Sequence, residues 1–468
     1  NYPFFKKIIK KIINNFKIIV IEEHDLGPAH SIFQLKNIIP NDEPIIISYC
    51  DFYVEWNYKN FLKEIRDYEG AIPCFKGFQP SSFGNTKYAY VKTNKNLELL
   101  QLREKESFTN DRHEEYASAG IYYLKSFNLF LETSKTLFRE GSGNLDEFYV
   151  SLLYNIIIRN KGLVKITSVD KFICWGTPED LSMYNFWSKY FLKSAKKNKN
   201  PITLPTKKNL INLIPMAGKG SRFKVEKFNV LKPLININSE AMFIKASLTF
   251  PEPDNWIFLI NSDVLIKNNF IHNLLEKKLN DSLIIPVKKH TSGQAATCLL
   301  AKSKIKDSKK ELFISSCDYL VYYDVNLWEN MKKETDTDVI VWTYKLNSML
   351  VKDFNAFAYC QIDENGTVTS IVEKSTISNN PKNDNMIIGS FWFKNANDFI
   401  YSAENAVRNN INVNGEHYIG NSLNALIKNG KKIKVFEVDQ WISLGDPFEL
   451  NIYFFWEDFF HNRYKKIT

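Results

Sequence analysis

The chain has 468 residues, of which 44% are hydrophobic and 24% are charged, and its formal net charge is +9. This composition is that of an ordinary globular protein, and the length suggests two to four domains. No apolar run reaches the ~18 to 20 residues of a membrane-spanning helix, and no signal-peptide pattern is present, so the sequence predicts a cytoplasmic protein that does not contact a membrane.

The cysteines, histidines and basic residues exclude several classes of site. The six cysteines form no CxxC pair and lie mostly in apolar runs, which indicates buried free thiols in a reducing compartment. The histidines show no HxH or HxxxH spacing, so no zinc site is expected. The densest basic runs, at 6–11 and 193–199, are interpreted as a solvated helix and a linker, so nucleic acid is not an expected partner. Anionic small substrates suit a mildly basic protein.

Two long stretches of the chain resemble each other at an almost constant offset. IIISYCDFYV in the first half matches LFISSCDYLV in the second, and LDEFYVSLLYNIIIRNKGLVKITSVD matches NGEHYIGNSLNALIKNGKKIKVFEVD. Because the offset drifts only from 266 to 269, the sequence predicts two tandem copies of one unit. The first copy is placed at 1–189 and the second, with a helical extension at its end, at 209–468. A linker is predicted at 190–208.

The first unit begins at the position that matches residue 267 of the second. It therefore has no counterpart of 210–266, the part of the second unit that holds the first strand, a glycine-bearing loop and the second strand. Two explanations stay open: the counterpart stands upstream in a longer protein, or it has been lost. Truncation is favoured because a sheet without its first strands would leave an apolar gap.

In the second unit, apolar strands alternate with helical stretches. Strands are predicted at Leu210–Met216, 256–260, 283–287 and 312–315, and helices near 240–249, 264–279 and 294–303. The alternation predicts an α/β fold with a doubly wound, mostly parallel sheet and helices on both faces. Sites in such sheets lie beyond the carboxyl ends of strands, which is where Asp318 and the glycine-bearing loop fall.

The strand at Leu210–Met216 runs into the sequence AGKGSRF, which contains Gly218, Gly220 and Arg222, and Lys232 follows ten residues after the arginine. A glycine-bearing loop after a strand lets backbone N–H groups approach an anion, and two cations beyond it suit a nucleoside triphosphate. The loop matches neither the dinucleotide-binding pattern nor the Walker-type phosphate loop. Alone, such a turn is more often structural, so its interpretation depends on the rest of the unit.

Six motifs in order make the second unit resemble the sugar-phosphate nucleotidylyltransferase family, also called NDP-sugar pyrophosphorylases. They are PMAGKGSRF, LKPLI, GQAATCLLA, SSCDYLV, the pair Glu373 and Lys374 with Gly389 following, and WISLGDPFEL. The first motif is similar to that of the bacterial capsule and surface-polysaccharide branch. The resemblance implies a GT-A-like, Rossmann-type fold. It also implies transfer of a nucleoside monophosphate from a nucleoside triphosphate to a sugar 1-phosphate, with release of pyrophosphate.

The resemblance also implies roles for individual residues. Arg222 would bind the leaving phosphates, Lys232 would reach the α-phosphate, and Asp318 would hold Mg²⁺. The nucleotide would be bound by Ala217, Gly218, Gly220, Ser221, Gly293 and Gln294. The sugar phosphate would be bound by Glu373, Lys374, Gly389 and Glu416. Two alternatives stay open, namely that Glu373 and Lys374 form a surface ion pair and that Glu416 is a charge at the start of a helix.

The family's usual second metal ligand is an aspartate two residues before the glycine of a late turn, and here Ser443 and, in the first unit, Cys174 stand in its place. Asp439 and Asp170 lie four residues earlier, on the same strand face by the period of two, so either is a candidate substitute. The first unit is expected not to turn over alone, because it has no triphosphate loop. Its counterparts of the site residues are Asp51, Glu104, Lys105, Gly120, Glu147 and Asp170.

Other functions stay open at this point. A cytidylyltransferase for a phosphorylated alcohol or amine is a close chemical neighbour. A GT-A glycosyltransferase usually carries a DxD motif, whereas the CDY and CDF stretches have one aspartate each. A catalytically inactive protein that senses sugar nucleotides is favoured by the missing second aspartate. The base, the sugar and homo-oligomerisation are not determined by the sequence.

Overall fold

A computed structural model of the chain shows two compact units, Asn1–Phe186 and Trp187–Thr468. It describes residues 2–82, 87–197, 209–218, 220, 222–223, 230–279, 281–334, 336–345 and 353–465. The boundary between the units falls within a helix, Pro178–Lys197, so residues 190–197, which the sequence assigned to a linker, are helical. The rest of the predicted linker, 198–208, lies outside the described residues.

The first unit is built on a seven-stranded mixed sheet with the order β1-β7-β3-β6-β4-β5, in which β8 lies parallel to β3. A separate antiparallel pair is formed by β2 and β9. The strands are β1 (Ile45–Ser48), β2 (Phe52–Glu55), β3 (Gly70–Phe75), β4 (Ala89–Thr93), β5 (Leu99–Glu104), β6 (Tyr116–Ser118), β7 (Ile121–Leu124), β8 (Val164–Ser168) and β9 (Lys171–Cys174). The helices are α1 (Tyr2–Ile9), α2 (Pro28–Phe33), α3 (Tyr58–Glu64), α4 (Phe127–Glu140), α5 (Leu153–Arg159) and α6 (Pro178–Lys197).

One edge of the first unit's sheet is open. Among the described residues β1 pairs with β7 alone, and Ile46 is 40% exposed. An apolar groove of about 820 Å³ runs beside this strand and is lined in part by Ile32, Leu35 and Ile39. Whether the first unit is truncated or has lost its first strands stays a prediction.

The second unit has a nine-stranded mixed sheet with the order β14-β13-β10-β15-β20-β17-β21, and β18 and β19 extend it beside β20. The strands are β10 (Leu210–Met216), β11 (Asn236–Ile237), β12 (Glu240–Ala241), β13 (Asn255–Asn261), β14 (Ser282–Val287), β15 (Glu311–Ile314), β16 (Tyr319–Tyr322), β17 (Val339–Tyr344), β18 (Ala358–Ile362), β19 (Val368–Glu373), β20 (Asn385–Phe393), β21 (Ile433–Glu437) and β22 (Gln440–Ser443). The helices are α7 (Met242–Ser247), α8 (Ser262–Lys267), α9 (Phe270–Lys278), α10 (Gln294–Cys298), α11 (Lys302–Ile305), α12 (Val325–Lys332), α13 (Ala396–Arg408), α14 (Ile419–Ser422), α15 (Asn424–Lys428) and α16 (Pro447–Lys465).

The predicted α/β fold class is confirmed. In the second unit, β14, β13, β10 and β15 are parallel neighbours, and β20 joins them in the antiparallel direction. The first strand has the bounds predicted from the sequence. The single helix predicted near 264–279 is instead two helices, α8 and α9, because the chain leaves the helical conformation at Asn268.

Helices cover both faces of this sheet because alternate strand residues point to opposite sides. On one side, Leu213 and Leu259 belong to a buried cluster that also contains Ala295 of α10 and Phe399 of α13. On the other side the packing is aromatic. The Phe258 ring lies 5.9 Å from that of Phe243 on α7, and the Phe313 ring lies 6.3 Å from that of Trp328 on α12. Within the described part of the chain, no helix is both long and apolar enough to cross a bilayer.

Asn424 fixes the strand that ends at Glu373. Its side-chain oxygen accepts a hydrogen bond from the Ile371 N–H (3.0 Å), and its amide donates to the Ile371 carbonyl (2.9 Å). Among the described strands β19 pairs with β18 alone, and a side chain on α15 bonds its other edge at Ile371.

We expect Asn424→Ala to lower the free energy of unfolding by about 2–3 kcal/mol, because it leaves two half-buried backbone groups without partners. Urea denaturation measures the change. Asn429→Ala, at an exposed position just after the same helix, is the control and should be near neutral. Equal effects of the two substitutions would contradict this role of Asn424.

Candidate functional site

A cavity of about 420 Å³ in the second unit is lined by residues that follow β10 and β15 and by residues of β19 and β20. The predicted site residues that line it are Arg222, Gln294, Asp318, Glu373, Lys374 and Gly389. They come from positions spread over most of the unit, so the fold brings them together. The cavity lies where sites in doubly wound sheets are expected.

Lys232 and Asp318 form an ion pair at this cavity. The Lys232 Nζ lies 2.6 Å from Asp318 Oδ2 and also donates to the Gly445 carbonyl at 2.7 Å. The two side chains are only 15% and 25% exposed. The lysine begins a single 3-10 turn, Lys232–Leu234, in which Pro233 occupies a position that needs no backbone N–H donor.

The environment keeps Asp318 ionised. Burial acts to raise the pKa of this carboxyl, but the charge and hydrogen bond of Lys232 and the hydroxyl of Ser316 outweigh it. The net effect is a pKa below the ordinary value of an aspartate. An ionised carboxylate with lone pairs left over is a suitable oxygen ligand for a divalent cation.

Arg222 lies at the mouth of the cavity. Its side chain is 73% exposed, and its Nη1 is 3.9 Å from Asp446 Oδ2, a distance that leaves the guanidinium weakly held. The glycine loop before it is described only in part. Gly220 has φ +59°, a left-handed conformation that favours glycine, and a side chain on Gly218 would meet open space. Ser221 lies outside the described residues.

A tight turn at Ser443–Asp446 forms part of the cavity wall, and Glu449 holds it. The Glu449 Oε2 accepts hydrogen bonds from the Ser443 hydroxyl (2.6 Å), the Gly445 N–H (2.9 Å) and the Asp446 N–H (3.1 Å). Burial and the neighbouring charge of Asp446 raise the pKa of Glu449 to about 6.

Glu373 and Lys374 lie side by side on the cavity wall. None of the described residues hydrogen-bonds the Glu373 carboxylate, and burial raises its pKa to about 7 although the charge of Lys374 acts to lower it. Lys374 adopts φ +56°, donates to the Ala356 carbonyl and lies over the Tyr418 ring at 5.6 Å. The two residues therefore do not form the surface ion pair that the sequence left open.

Gly389 makes room beside these two residues. It has φ +90°, in a part of β20 where the pairing with β17 is irregular. Beneath it lies a buried network of the hydroxyls of Ser315, Tyr319 and Ser390, with the Ser315 oxygen 2.6 Å from that of Tyr319 and 2.9 Å from that of Ser390. This network joins the segment that carries Asp318 to the strand that carries Gly389.

Gly293 has a structural role that the sequence did not predict. Its φ is +115°, and a Cβ there would lie 2.5 Å from the His417 nitrogen and 2.7 Å from the His417 oxygen. The glycine is needed because two backbone segments meet here. Gln294, the next residue, begins α10 and lines the cavity, where no described residue hydrogen-bonds its amide.

Asp439 and Glu416 are among the predicted site residues that do not line the cavity. Asp439 is half exposed, lies 3.8 Å from the Lys193 ammonium, and stands just before β22, whose far end, Ser443, pairs with Tyr319. Four residues along a strand cover about 13 Å, so the shared strand face does not bring Asp439 to Asp318. Glu416 accepts a hydrogen bond from the Tyr418 hydroxyl, so it contacts a lining residue rather than the cavity. The roles of Asp439 and Glu416 stay predictions.

The sequence missed Asp446, Glu449 and Tyr418. A signal for the first two was present, since an aspartate followed three residues later by a glutamate is a capping box at a helix start. The Asp446 side chain does accept a hydrogen bond from the Glu449 N–H at 2.9 Å. That the same turn would contact Lys232 depends on tertiary structure, and no local pattern reveals it.

Glu104 and Lys105, the first-unit counterparts of Glu373 and Lys374, are each hydrogen-bonded within the first unit. Glu104, with its pKa raised to about 7 by burial, accepts a hydrogen bond from Ser151. The Lys105 ammonium lies 2.5 Å from the Tyr149 hydroxyl. In the second unit Gly420 stands where the repeat places Ser151, so the Glu373 carboxylate has no such partner.

The remaining first-unit counterparts have local roles. Asp51 is exposed, and no described cation pairs with it. Gly120 has φ +75° and faces the Phe52 ring, and Glu147 packs against Gly27. The Asp170 N–H donates to the Glu55 carbonyl at 2.8 Å.

Comparison with known proteins finds a family match for part of the chain. Residues 5–153 match the family described as Nucleotidyl transferase. The matched range includes Asp51, Glu104 and Lys105 of the first unit, whereas the cavity of the second unit lies outside it.

Individual relatives match over limited lengths. Over 122 residues the chain is 31% identical to the bifunctional protein GlmU of Methanococcus maripaludis strain C5; this is 26% of the present chain and 27% of that protein. The chain thus spans about a quarter of the length of this relative. A nucleoside-diphosphate-sugar pyrophosphorylase from Vibrio cholerae aligns with 52% of the chain and 98% of its own length, at 18% identity and a TM-score of 0.43. An inositol-1-phosphate CTP transferase from T. maritima aligns with 53% of the chain and 96% of its own length, at 14% identity and a TM-score of 0.42.

We expect the free energy of unfolding of Glu373→Gln, measured relative to the wild type, to be higher at pH 8 than at pH 5. A carboxyl whose pKa rises from 4.5 to about 7 on folding binds its proton more tightly when folded, so its contribution to stability falls as the pH rises through this window. The neutral amide avoids that loss, which is on the order of 2–3 kcal/mol. Urea denaturation at both pH values measures it. Glu364→Gln, at an exposed turn position, should show no such pH dependence, and an equal response of both variants would contradict the burial argument.

Proposed function

We propose that the second unit is a nucleotidyltransferase that transfers a nucleoside monophosphate from a nucleoside triphosphate to a sugar 1-phosphate. The observation that carries the proposal is the Lys232–Asp318 pair at a cavity that Arg222, Glu373 and Lys374 also line. The cations Lys232 and Arg222 are suited to a triphosphate. The carboxylate of Glu373 and the ammonium of Lys374 are suited to a sugar phosphate, and both pairs lie at the same cavity. The motif PMAGKGSRF supports the narrower proposal that the product is a precursor of capsule or other surface polysaccharide.

In the proposed reaction a phosphate oxygen of the sugar 1-phosphate attacks the α-phosphorus of the triphosphate. A new P–O bond forms, the bond between the α-phosphorus and the bridging oxygen breaks, and pyrophosphate leaves with the electron pair. Such transfers depend on in-line positioning and on cations at the charge that develops. Lys232 would contact the α-phosphate, and the exposed Arg222 would bind the leaving phosphates with its planar fork.

The acceptor would lie against Glu373 and Lys374. The Glu373 carboxylate is free of described hydrogen-bond donors, so it can accept one from a sugar hydroxyl. Lys374 would pair with the acceptor's phosphate. Gly389 would let the sugar approach the backbone, since no side chain stands there.

The residues present fit a magnesium ion. No group of three or more potential metal-ligating side chains occurs among the described residues, but Mg²⁺ is usually held by one or two carboxylates together with water and substrate phosphates. Asp318 would hold it, and Asp446, which lines the same cavity, is the candidate for a second carboxylate. When bound, the ion would neutralise part of the phosphate charge.

We also propose that the two units are copies of one domain. Asn155 bonds the Leu102 N–H and carbonyl as Asn424 bonds those of Ile371. Lys105 and Lys374 both have φ +56°. These paired contacts support the repeat, and the first unit is then a scaffold whose acceptor groups are already bonded.

A sugar-nucleotide sensor is the second candidate, and Ser443 favours it. The resemblance places an aspartate at this position, whereas the Ser443 hydroxyl is bonded to Glu449. An inactive protein of this kind would bind a sugar nucleotide without turnover. A cytidylyltransferase for a phosphorylated alcohol would instead release pyrophosphate with CTP and such an acceptor.

We expect Asp318→Asn to lower pyrophosphate release by at least about 100-fold, because it removes the anion that holds Lys232 and the proposed metal ligand. The assay pairs each of the common nucleoside triphosphates with a panel of sugar 1-phosphates and phosphorylated alcohols in the presence of Mg²⁺. Asp51→Asn, the matched change in the first unit, should leave the rate within about twofold. An equal loss with both variants would contradict the assignment to the second unit. No release with any pair, together with sugar-nucleotide binding, would favour the sensor.

A further inference from the structure

Glu449 is connected to Lys232 through a single residue. The Gly445 N–H donates to the Glu449 carboxylate (2.9 Å), and the carbonyl of the same glycine accepts from the Lys232 ammonium (2.7 Å). Among the described residues, the Lys232 ammonium bonds two oxygen atoms. The position of one of them, the Gly445 carbonyl oxygen, is fixed by the turn that Glu449 holds. The other is the Asp318 carboxylate.

We propose that Glu449 is a positioning residue for the transfer reaction, which acts by fixing the Gly445 carbonyl and thereby the ammonium group of Lys232. Its carboxylate lines the same cavity, and its described hydrogen bonds go to the turn. The inference rests on the proposed function, because it concerns the lysine assigned to the α-phosphate. A capping glutamate at this helix start therefore has a task beyond helix stability.

The length of the Glu449 side chain is what lets it reach the turn. In the first unit, Asp180 occupies the corresponding place and is one methylene shorter. Its carboxylate accepts from the Thr177 hydroxyl at 2.8 Å, while the Gly176 N–H points to the Cys174 sulfur at 3.4 Å instead. Among the described residues no lysine bonds the Gly176 carbonyl. Only in the second unit does the carboxylate, Glu449, bond the glycine N–H, and only there does a described lysine, Lys232, bond the carbonyl of that glycine.

This contrast provides a matched set of variants. Glu449→Ala removes the acceptor, Glu449→Asp keeps the charge but shortens the reach, and Glu449→Gln keeps the length and one acceptor oxygen. Asp180→Ala removes the carboxylate at the corresponding place in the first unit, where it bonds Thr177 and pairs with Lys87 at 3.3 Å. Each is measured for kcat and KM with the substrate pair that the wild type uses best, for Tm, and for amide hydrogen exchange at 443–446 and 230–237.

We expect Glu449→Ala and Glu449→Asp to lower kcat about 10- to 100-fold with KM changed less than about threefold, since small misplacements of a group that acts on the transition state have effects of this size. Glu449→Gln should stay within about threefold, because its amide oxygen can still accept from the turn. Asp180→Ala should lower Tm about as much as Glu449→Ala and leave kcat unchanged. In a Lys232→Ala background, adding Glu449→Ala should lower kcat by less than about threefold more, because both substitutions act through the Lys232 ammonium.

Several results would overturn the inference. A kcat unaffected by Glu449→Ala, with Tm lowered as in Asp180→Ala, would reduce Glu449 to a helix cap. Full additivity with Lys232→Ala would mean that it acts independently of the lysine. A wild type without turnover would refute the proposed function instead. The positioning role is then judged by hydrogen exchange, and it fails if Glu449→Ala speeds exchange at 443–446 but not at 230–237.

Discussion

The ion pair between Lys232 and Asp318 is the contact on which the site of the second unit depends. Its partners are 86 residues apart in the chain, and the lysine also bonds the Gly445 carbonyl, which is 213 residues away from it. Two largely buried charges are tolerable only when they are paired and hydrogen-bonded, so each must be placed accurately by its own element. The pair therefore requires the loop after β10, the end of β15 and the turn after β22 to be in position together.

Under the proposed repeat, the two units differ in chemistry at positions that the repeat pairs. Buried glutamates end β5 and β19, and both have a pKa near 7. In the first unit a serine hydroxyl satisfies the carboxylate, whereas in the second Gly420 leaves it without a described donor. Replacing one small residue by another thus decides whether the carboxylate is a structural acceptor or is available to a ligand.

Much of the second unit's fold could be predicted because its strands are short apolar runs with clear ends. The run Leu210–Met216 is buried at six of seven positions and ends at Ala217, so its limits follow from the sequence. Asp318 could be proposed as a site residue because a carboxylate at the end of an apolar run needs a partner, and Lys232 because it follows the glycine-bearing loop. A period of two gives the strand face of Asp439 but not how far Asp439 lies from Asp318.

Contacts between segments distant in the chain were beyond prediction. The bond from Glu449 to Gly445 is local and reads as a capping box, but the bond from Gly445 to Lys232 exists only in the folded unit. Gly293 shows the converse. Its motif suggested a nucleotide contact, and the fold adds a steric reason, the close approach of the His417 backbone.

The central claim is that one unit of this chain binds a nucleoside triphosphate and that Lys232 is required for it. The most direct measurement is the number of triphosphate molecules bound per chain in the presence of Mg²⁺, by equilibrium titration of the wild type and of Lys232→Ala. We expect one site in the wild type and a loss of at least about tenfold in affinity in the variant, because a desolvated charge contact is removed. Two sites per chain, or undiminished binding by Lys232→Ala, would contradict it.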